Sequence, residues 1–171
     1  SMGYRSQSNI SNWDNRETKR RMRNDLVEWL QSRNYDYALT LGFNFRDVSR
    51  TVARKHLRRY DAELNRRLNG TCWLKKTDER IFWVAFPENM DTNPHWHMVV
   101  ALDRQGFHDD RSSRYADFER LATEAWLKQF PTGTAHCAPL VGTAYEWYIT
   151  KDFEVDKKIE EFVVEREFWP A

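Results

Sequence analysis

The sequence predicts an α+β fold. We expect a split βαβ, ferredoxin-like sandwich with a central antiparallel sheet and extra segments at both ends. The helices should cover one face of the sheet and leave the other face free. Four apolar segments are typical of strands, at residues 35–45, 81–86, 95–102 and 134–141. Two longer segments between them carry apolar residues at helical spacing, at about 47–68 and 115–130. With 171 residues the chain fits one domain, 1–171, with its core at about 35–151.

The N-terminal segment precedes this core. Residues 1–13 have no periodicity and are predicted to be disordered. A helix is predicted from Asp14, because Asp14 can cap the first turn and Glu17 follows three residues later, as in a capping box.

The first strand segment, 35–45, alternates large apolar side chains with small or polar ones, so its two faces should differ. The face predicted to enter the core consists of Leu39, Leu41, Phe43 and Phe45. The other face consists of Ala38, Thr40, Gly42 and Asn44. We expect this second face to leave room for a ligand or a neighbouring backbone, since glycine within a strand often marks such close approach.

The helix predicted over 47–68 combines an apolar stripe with a basic exterior. The stripe consists of Val48, Val52, Leu57, Tyr60, Leu64 and Leu68. Residues 1–80 carry 18 Lys and Arg against 10 Asp and Glu, a balance of +8, whereas residues 81–171 carry 9 against 16, a balance of −7. A basic half favours a polyanion such as nucleic acid as partner, although two oppositely charged halves also occur as plain solvated surfaces. The basic residues predicted to contact DNA are Arg50, Arg54, Lys55, Arg58 and Arg59.

The C-terminal half continues with a polar loop over 103–114 and then the second core helix. The side chains predicted to face inward from this helix are Phe118, Leu121, Ala122, Ala125 and Trp126. After the strand at 134–141, a helical turn over about 143–151 places Tyr145, Tyr148 and Lys151 on roughly one face. The acidic tail is predicted to pack through Ile159, Phe162, Val163, Phe168 and Trp169.

Two histidines, His95 and His97, begin the strand at 95–102. Because they are two residues apart, their side chains point to the same face and lie roughly 6–7 Å apart, which lets both imidazoles reach one metal ion. Trp96 and Met98 point to the opposite face. Carboxylates precede the pair at Glu88 and Asp91. The alternative is that the two histidines simply cover a half-buried sheet.

Three motifs follow one another along the chain: Ala38-Leu39-Thr40-Leu41, His95-Trp96-His97 and Tyr148-Ile149-Thr150-Lys151. Their order resembles that of the HUH endonucleases, the family of rolling-circle replication initiators, conjugative relaxases and some transposases. The chain resembles this family over residues 35–151, and among its members it is most similar to the replication initiators of small phages and plasmids.

The resemblance implies a site and an activity. Glu88, His95 and His97 would hold Mn²⁺ or Mg²⁺, with Asp91 as the alternative acid. Tyr148 would attack single-stranded or hairpin DNA to form a 5′-phosphotyrosine, assisted by Lys151. Tyr145 is either a structural residue or a second catalytic tyrosine, and its spacing to Tyr148, one residue shorter than the family's usual one, disfavours the second role.

Other functions stay open at this stage. One is a non-catalytic nucleic-acid-binding module with the same fold, and another is a metal-dependent hydrolase that uses water. Since no Walker-type phosphate loop is present, a helicase would be a separate protein. No apolar run reaches the ~20 residues of a membrane span, and Cys72 and Cys137 lie in no metal-binding spacing. We therefore expect the cytoplasm of a bacterial host, although one disulfide between these cysteines stays an alternative. His56, His108 and His136 receive no role.

Overall fold

The computed structural model of the chain describes residue 17 and residues 35–45, 47–102, 111–140 and 162–169. Within these ranges five strands form one antiparallel sheet: β1 (Tyr37–Gly42), β2 (Phe82–Glu88), β3 (His95–Ala101), β4 (Thr134–Pro139) and β5 (Val163–Val164). The described α-helices are α1 (Arg50–Asn69) and α2 (Arg111–Gln129). The strands lie in the order β4-β1-β3-β2-β5, which confirms an α+β architecture. The predictions for residues 1–13 and for the helix from Asp14 lie outside the described residues, apart from Glu17, which is helical.

Both helices pack against one face of this sheet and form the main core with it. The fully buried members of this core include Leu39, Leu41, Tyr60, Trp83, Met98, Phe118 and Trp126. Trp126 of α2 lies edge-on to Phe43, and its indole N–H donates a 2.9 Å hydrogen bond to the carbonyl oxygen of Gly42. The main core therefore holds the end of β1 in place with both packing and a satisfied buried donor.

The helix boundaries differ from the predicted ones for local reasons. α1 begins after Ser49, whose hydroxyl accepts a hydrogen bond from the N–H of Val52. Asp47 has a φ of 59°, which a right-handed helix excludes, so the prediction that the helix starts there was wrong. Val52 is 43% exposed, and Ala53 takes its expected place in the core. Residues 111–114, predicted as loop, begin α2.

The face of β1 that was predicted to enter the core does so only in part. Leu39, Leu41 and Phe43 are fully buried, but Phe45 lies beyond the end of the strand and is 50% exposed. Asn44, between them, has a φ of 63°, so the strand alternation stops there and no longer directs Phe45 inward.

A buried carboxyl, Asp61 of α1, lies between the helix layer and the C-terminal segment. One of its oxygens accepts hydrogen bonds from the indole N–H of Trp83 at 2.7 Å and from the side-chain amide of Asn65 at 2.9 Å. The other oxygen accepts from the indole N–H of Trp169 at 2.6 Å. Burial raises the pKa of Asp61 to about 7, and the two indole hydrogen bonds oppose that rise.

The C-terminal segment, residues 162–169, packs as predicted at the positions that the structure describes. β5 pairs with β2, Phe168 packs against the ring of Trp83, and Trp169 lies edge-on to Trp73. Ile159, also predicted to pack, lies outside the described residues. Cys72 and Cys137 are both free, so no disulfide joins them.

The other face of the sheet is only partly open. Its apolar half forms a second buried cluster, which includes Phe82, Val84, Phe86 and Val99. The expectation that the helices would leave this whole face free was therefore wrong. Polar side chains occupy the remaining part, at the end of the sheet where β2 stops and β3 starts. Neither of the described helices is long and apolar enough to cross a lipid bilayer.

Candidate metal centre

Strand register brings a carboxylate to the two histidines. Glu88, the last residue of β2, is directly opposite His95, the first residue of β3. His97 follows two residues later on the same face, while Trp96 and Met98 enter the core on the other face. The predicted alternation of this strand is confirmed. The turn between the strands begins at Asn89, which has a φ of 50° and whose carbonyl oxygen accepts hydrogen bonds from the N–H groups of Thr92 and Asn93.

Three donor atoms converge at this point. One carboxylate oxygen of Glu88 lies 2.8 Å from Nε2 of His95 and 2.6 Å from Nε2 of His97, and the two Nε2 atoms lie 3.1 Å apart. The three donor atoms are close enough together for one metal ion to contact all of them, and we call Glu88, His95 and His97 the triad.

The outer nitrogen of each imidazole has its own partner. Nδ1 of His95 lies 2.8 Å from the carbonyl oxygen of Asn93, which can only accept a hydrogen bond. Nδ1 of His97 lies 3.3 Å from the hydroxyl oxygen of Thr40 on β1. A proton on Nδ1 leaves the lone pair of Nε2 directed at the carboxylate, as metal-binding histidines require. In that tautomer two lone pairs and a carboxylate oxygen point at the same space, which a metal ion, or a proton shared with Glu88, would fill.

The triad is within reach of solvent. The side chain of His95 is 13% exposed, that of His97 24% and that of Glu88 28%. Three donors do not complete the coordination sphere of a metal ion, so oxygens of water or of a substrate would fill the remaining positions around such an ion. Comparison of the chain with protein-family models, with curated proteins and with solved structures finds no match.

Asp91, the alternative acid, is not part of this arrangement. It lies in the loop after β2 and lines a separate cleft of about 480 Å³ together with Asp47, Ser49 and Arg50. Glu88 is the acid that groups with the two histidines among the residues that the structure describes.

The basic residues of α1 are not brought to the triad. The helix packs through Leu57 and Tyr60 on the face of the sheet opposite to the two histidines. The guanidinium of Arg58 lies 4.5 Å from the ring centroid of Trp169, and that of Arg54 lies 5.1 Å from that of Phe168. Tyr145, Tyr148 and Lys151 lie outside the described residues, so their predicted roles stay predictions.

Two residues near the triad were not singled out by the sequence. Thr40 was named only as part of the small face of β1 and of the motif Ala38-Leu39-Thr40-Leu41, without a role of its own, and His136 was given no role. Thr40 pairs with His97 on one side and with His136 on the other, so all three share one row across the sheet. The alternation of the strand at 134–141 would have placed His136 on this face if the neighbour of β4 had been known.

We expect Thr40→Val to weaken Mn²⁺ binding about 10- to 100-fold, the usual effect of removing the partner of a metal-binding histidine. Valine keeps the shape of threonine but cannot accept the Nδ1 proton of His97. Isothermal titration with Mn²⁺ measures the change, and Thr40→Ser, which keeps the hydroxyl, should restore most of the affinity. Equal affinity of the valine variant and the unaltered protein would remove Thr40 from this role.

Proposed function

We propose that this protein is a metal-dependent enzyme that nicks and rejoins single-stranded DNA through a tyrosine nucleophile. The observation that supports it most is the convergence of Glu88, His95 and His97 within 2.6–3.1 Å on a polar, solvent-accessible part of a sheet. The order β4-β1-β3-β2, with α1 and α2 on one face, supports the ferredoxin-like fold that the HUH family resemblance implies.

The triad would hold Mn²⁺ or Mg²⁺, with Mn²⁺ better suited to two imidazole nitrogens. Such an ion, when bound, polarises the scissile phosphate and offsets the charge that develops on its non-bridging oxygens. Glu88 supplies the negative charge of the site, while Asn93 and Thr40 fix the orientation of the imidazoles. These contacts prepare the donors before any substrate arrives, which lowers the cost of ordering them.

Tyr148 would carry the covalent step. Its phenol oxygen attacks the phosphorus, the new O–P bond forms as the bond from phosphorus to the 3′-oxygen breaks, and the 3′-oxygen leaves with a proton as a hydroxyl. Lys151, three residues later, supplies a positive charge that favours the phenolate over the phenol, whose pKa is ordinarily ~10. The 5′-phosphotyrosine stores the bond, so the reverse attack by a 3′-hydroxyl rejoins the strand.

Single-stranded or hairpin DNA is the substrate that this chemistry favours, because a base-paired strand cannot lie flat against a sheet. We propose that the protein initiates rolling-circle replication of a mobile element in a bacterial host. A separate protein would supply the helicase. A relaxase or transposase that uses the same site is the alternative within this class.

The covalent intermediate provides the test. A hairpin oligonucleotide labelled on the 3′ side of the nick is incubated with Mn²⁺ and the protein, and the adduct is resolved on a denaturing gel. We expect Tyr148→Phe to abolish the adduct and the nick while DNA binding persists, and Tyr145→Phe, the matched control, to leave both in place.

Each other outcome points to a different function. Nicking without an adduct, unchanged in Tyr148→Phe, would indicate a hydrolase that uses water at the same triad. Binding without any nick, and indifferent to Mn²⁺, would indicate a non-catalytic nucleic-acid-binding module. An adduct that survives Tyr148→Phe and disappears in Tyr145→Phe would move the nucleophile to Tyr145.

A further inference from the structure

The surface next to the triad is open in one direction across the sheet. Towards β2, the neighbour of His97 is Phe86, which is fully buried and packs against Phe162. Further along β3, Val99 is also fully buried. These two sides offer no surface on which a polymer could lie. Towards β1 and β4 the same face carries small and polar residues instead.

Four of these residues form what we call the polar shelf: Thr40, Gly42, Thr134 and His136. Their positions are fixed by register, since Gly42 pairs with both His95 and Thr134, and Thr40 pairs with both His97 and His136. Thr134 and His136 are exposed, on a strand that is the edge of the sheet among the described strands. The polar shelf therefore extends the triad by two strands, or about 10 Å.

Gly42 lies at the centre of the polar shelf and has no side chain. A Cβ atom placed on Gly42 would lie 2.3 Å from the hydroxyl oxygen of Thr134. The hydroxyl of Thr134 therefore extends from β4 over β1, into the space that a side chain at position 42 would occupy. The expected close approach at this glycine is present, and the approaching group is a side chain of β4.

We propose that the polar shelf binds a phosphodiester of the substrate strand one or two linkages away from the scissile phosphate, with His136 and Thr134 as hydrogen-bond donors. This inference rests on the proposed function. Successive phosphate charges on one strand of stacked DNA advance by ~3.4 Å along the helix axis, and those of an unstacked, extended strand advance by more. A phosphate one or two linkages from the scissile one can therefore lie over the polar shelf when the scissile phosphate lies at the triad. None of its four residues is a phenylalanine, tyrosine or tryptophan, and its hydroxyl and imidazole groups can donate hydrogen bonds to the oxygens of a sugar-phosphate backbone.

A chemical scan tests this contact. Oligonucleotides are prepared with a single uncharged methylphosphonate at each linkage around the nick site, and their binding to Tyr148→Phe protein with Mn²⁺ is measured by fluorescence anisotropy. We expect one linkage beside the scissile one at which neutralisation weakens binding about 10-fold. In the His136→Ala, Tyr148→Phe double variant, the affinity for the unmodified strand should fall by a similar factor. Neutralising that linkage should then lower the affinity of the double variant little further.

Controls separate this contact from general effects. His136→Gln keeps a side-chain donor and should retain most of the affinity, and Lys128→Gln, an exposed charge on the helix layer, should leave the scan unchanged. Mn²⁺ affinity without DNA should be the same in the unaltered protein and in His136→Ala. If the scan profile is the same with and without His136, and the unaltered protein nicks DNA, the polar shelf is overturned and the proposed function is not. A protein that binds Mn²⁺ but neither binds nor nicks DNA overturns the proposed function as well.

Discussion

Substitution of His97 by alanine is expected to abolish Mn²⁺ binding and to lower the rate of nicking by roughly 10³-fold, since a bound ion contributes several kcal/mol to such a transition state. Of the two histidines, His97 makes the shorter contact with Glu88, 2.6 Å, and its outer nitrogen contacts Thr40 of β1. Titration calorimetry measures the binding, and single-turnover cleavage of a labelled hairpin measures the rate.

Two neighbouring acids provide a matched control for this result. Glu88→Gln keeps the size of the side chain but removes the charge from the triad, so it should weaken Mn²⁺ binding strongly. Asp91→Asn makes the same chemical change in the cleft outside the triad and should leave binding unchanged. The opposite pattern would transfer the third ligand to Asp91 and contradict the site as we describe it.

Removal of the Asp61 carboxyl is expected to be the most costly change for stability. Asp61→Ala leaves the indole N–H groups of Trp83 and Trp169 without their acceptor. It also removes one of the two hydrogen bonds that the side-chain amide of Asn65 donates to Asp61. Unsatisfied buried donors cost about 1–3 kcal/mol each, so we expect a loss of roughly 3 kcal/mol in the free energy of unfolding. This corresponds to a fall of about 6–12 °C in Tm for a domain of this size. Thermal unfolding followed by circular dichroism measures it, and a shift below 2 °C would contradict this role.

The same carboxyl should make stability depend on pH. Its pKa of about 7 in the folded protein lies above the ordinary value of 3.8, so between these values the folded protein binds the proton more tightly than the unfolded chain does. The resulting stabilisation is complete below about pH 4 and is lost as the pH rises through 7, a change on the order of 4 kcal/mol. Asp61→Asn does not titrate. The difference in unfolding free energy between the unaltered protein and this variant should therefore fall as the pH rises from about 4 to 7. A difference that stays constant over this range would contradict the raised pKa of Asp61.

The sequence predicted those features that depend on local periodicity. Alternation over 95–102 placed His95 and His97 on the face opposite Trp96 and Met98, as observed. Helical spacing placed Phe118 and Trp126 in the core. Such patterns are set by the 2.0- and 3.6-residue periods of the backbone, which need no knowledge of the neighbouring element.

Features that depend on partners distant in sequence were not predicted. Asp61 is part of a basic helix, in which a charged residue is ordinarily solvated. Its burial is explained by hydrogen bonds from the indoles of Trp83 and Trp169, which are distant from it in sequence. The role of Thr40 likewise depends on the register between β1 and β3, which strand propensity does not determine. The contacts of Arg54 and Arg58 with aromatic rings of the C-terminal segment were likewise not predicted, while the contacts of α1 with DNA stay a prediction.

The hydrogen bond between Trp169 and Asp61 joins residues 108 positions apart. During synthesis on the ribosome, α1 and β2 emerge long before Trp169 does, at a rate of about 5–20 residues per second. For several seconds the nascent chain therefore holds the Asp61 carboxyl with one of its two indole partners missing and the outer edge of β2 unpaired. The Asp61–Trp169 hydrogen bond and the pairing of β5 with β2 can therefore form only after the C-terminal segment has been synthesised.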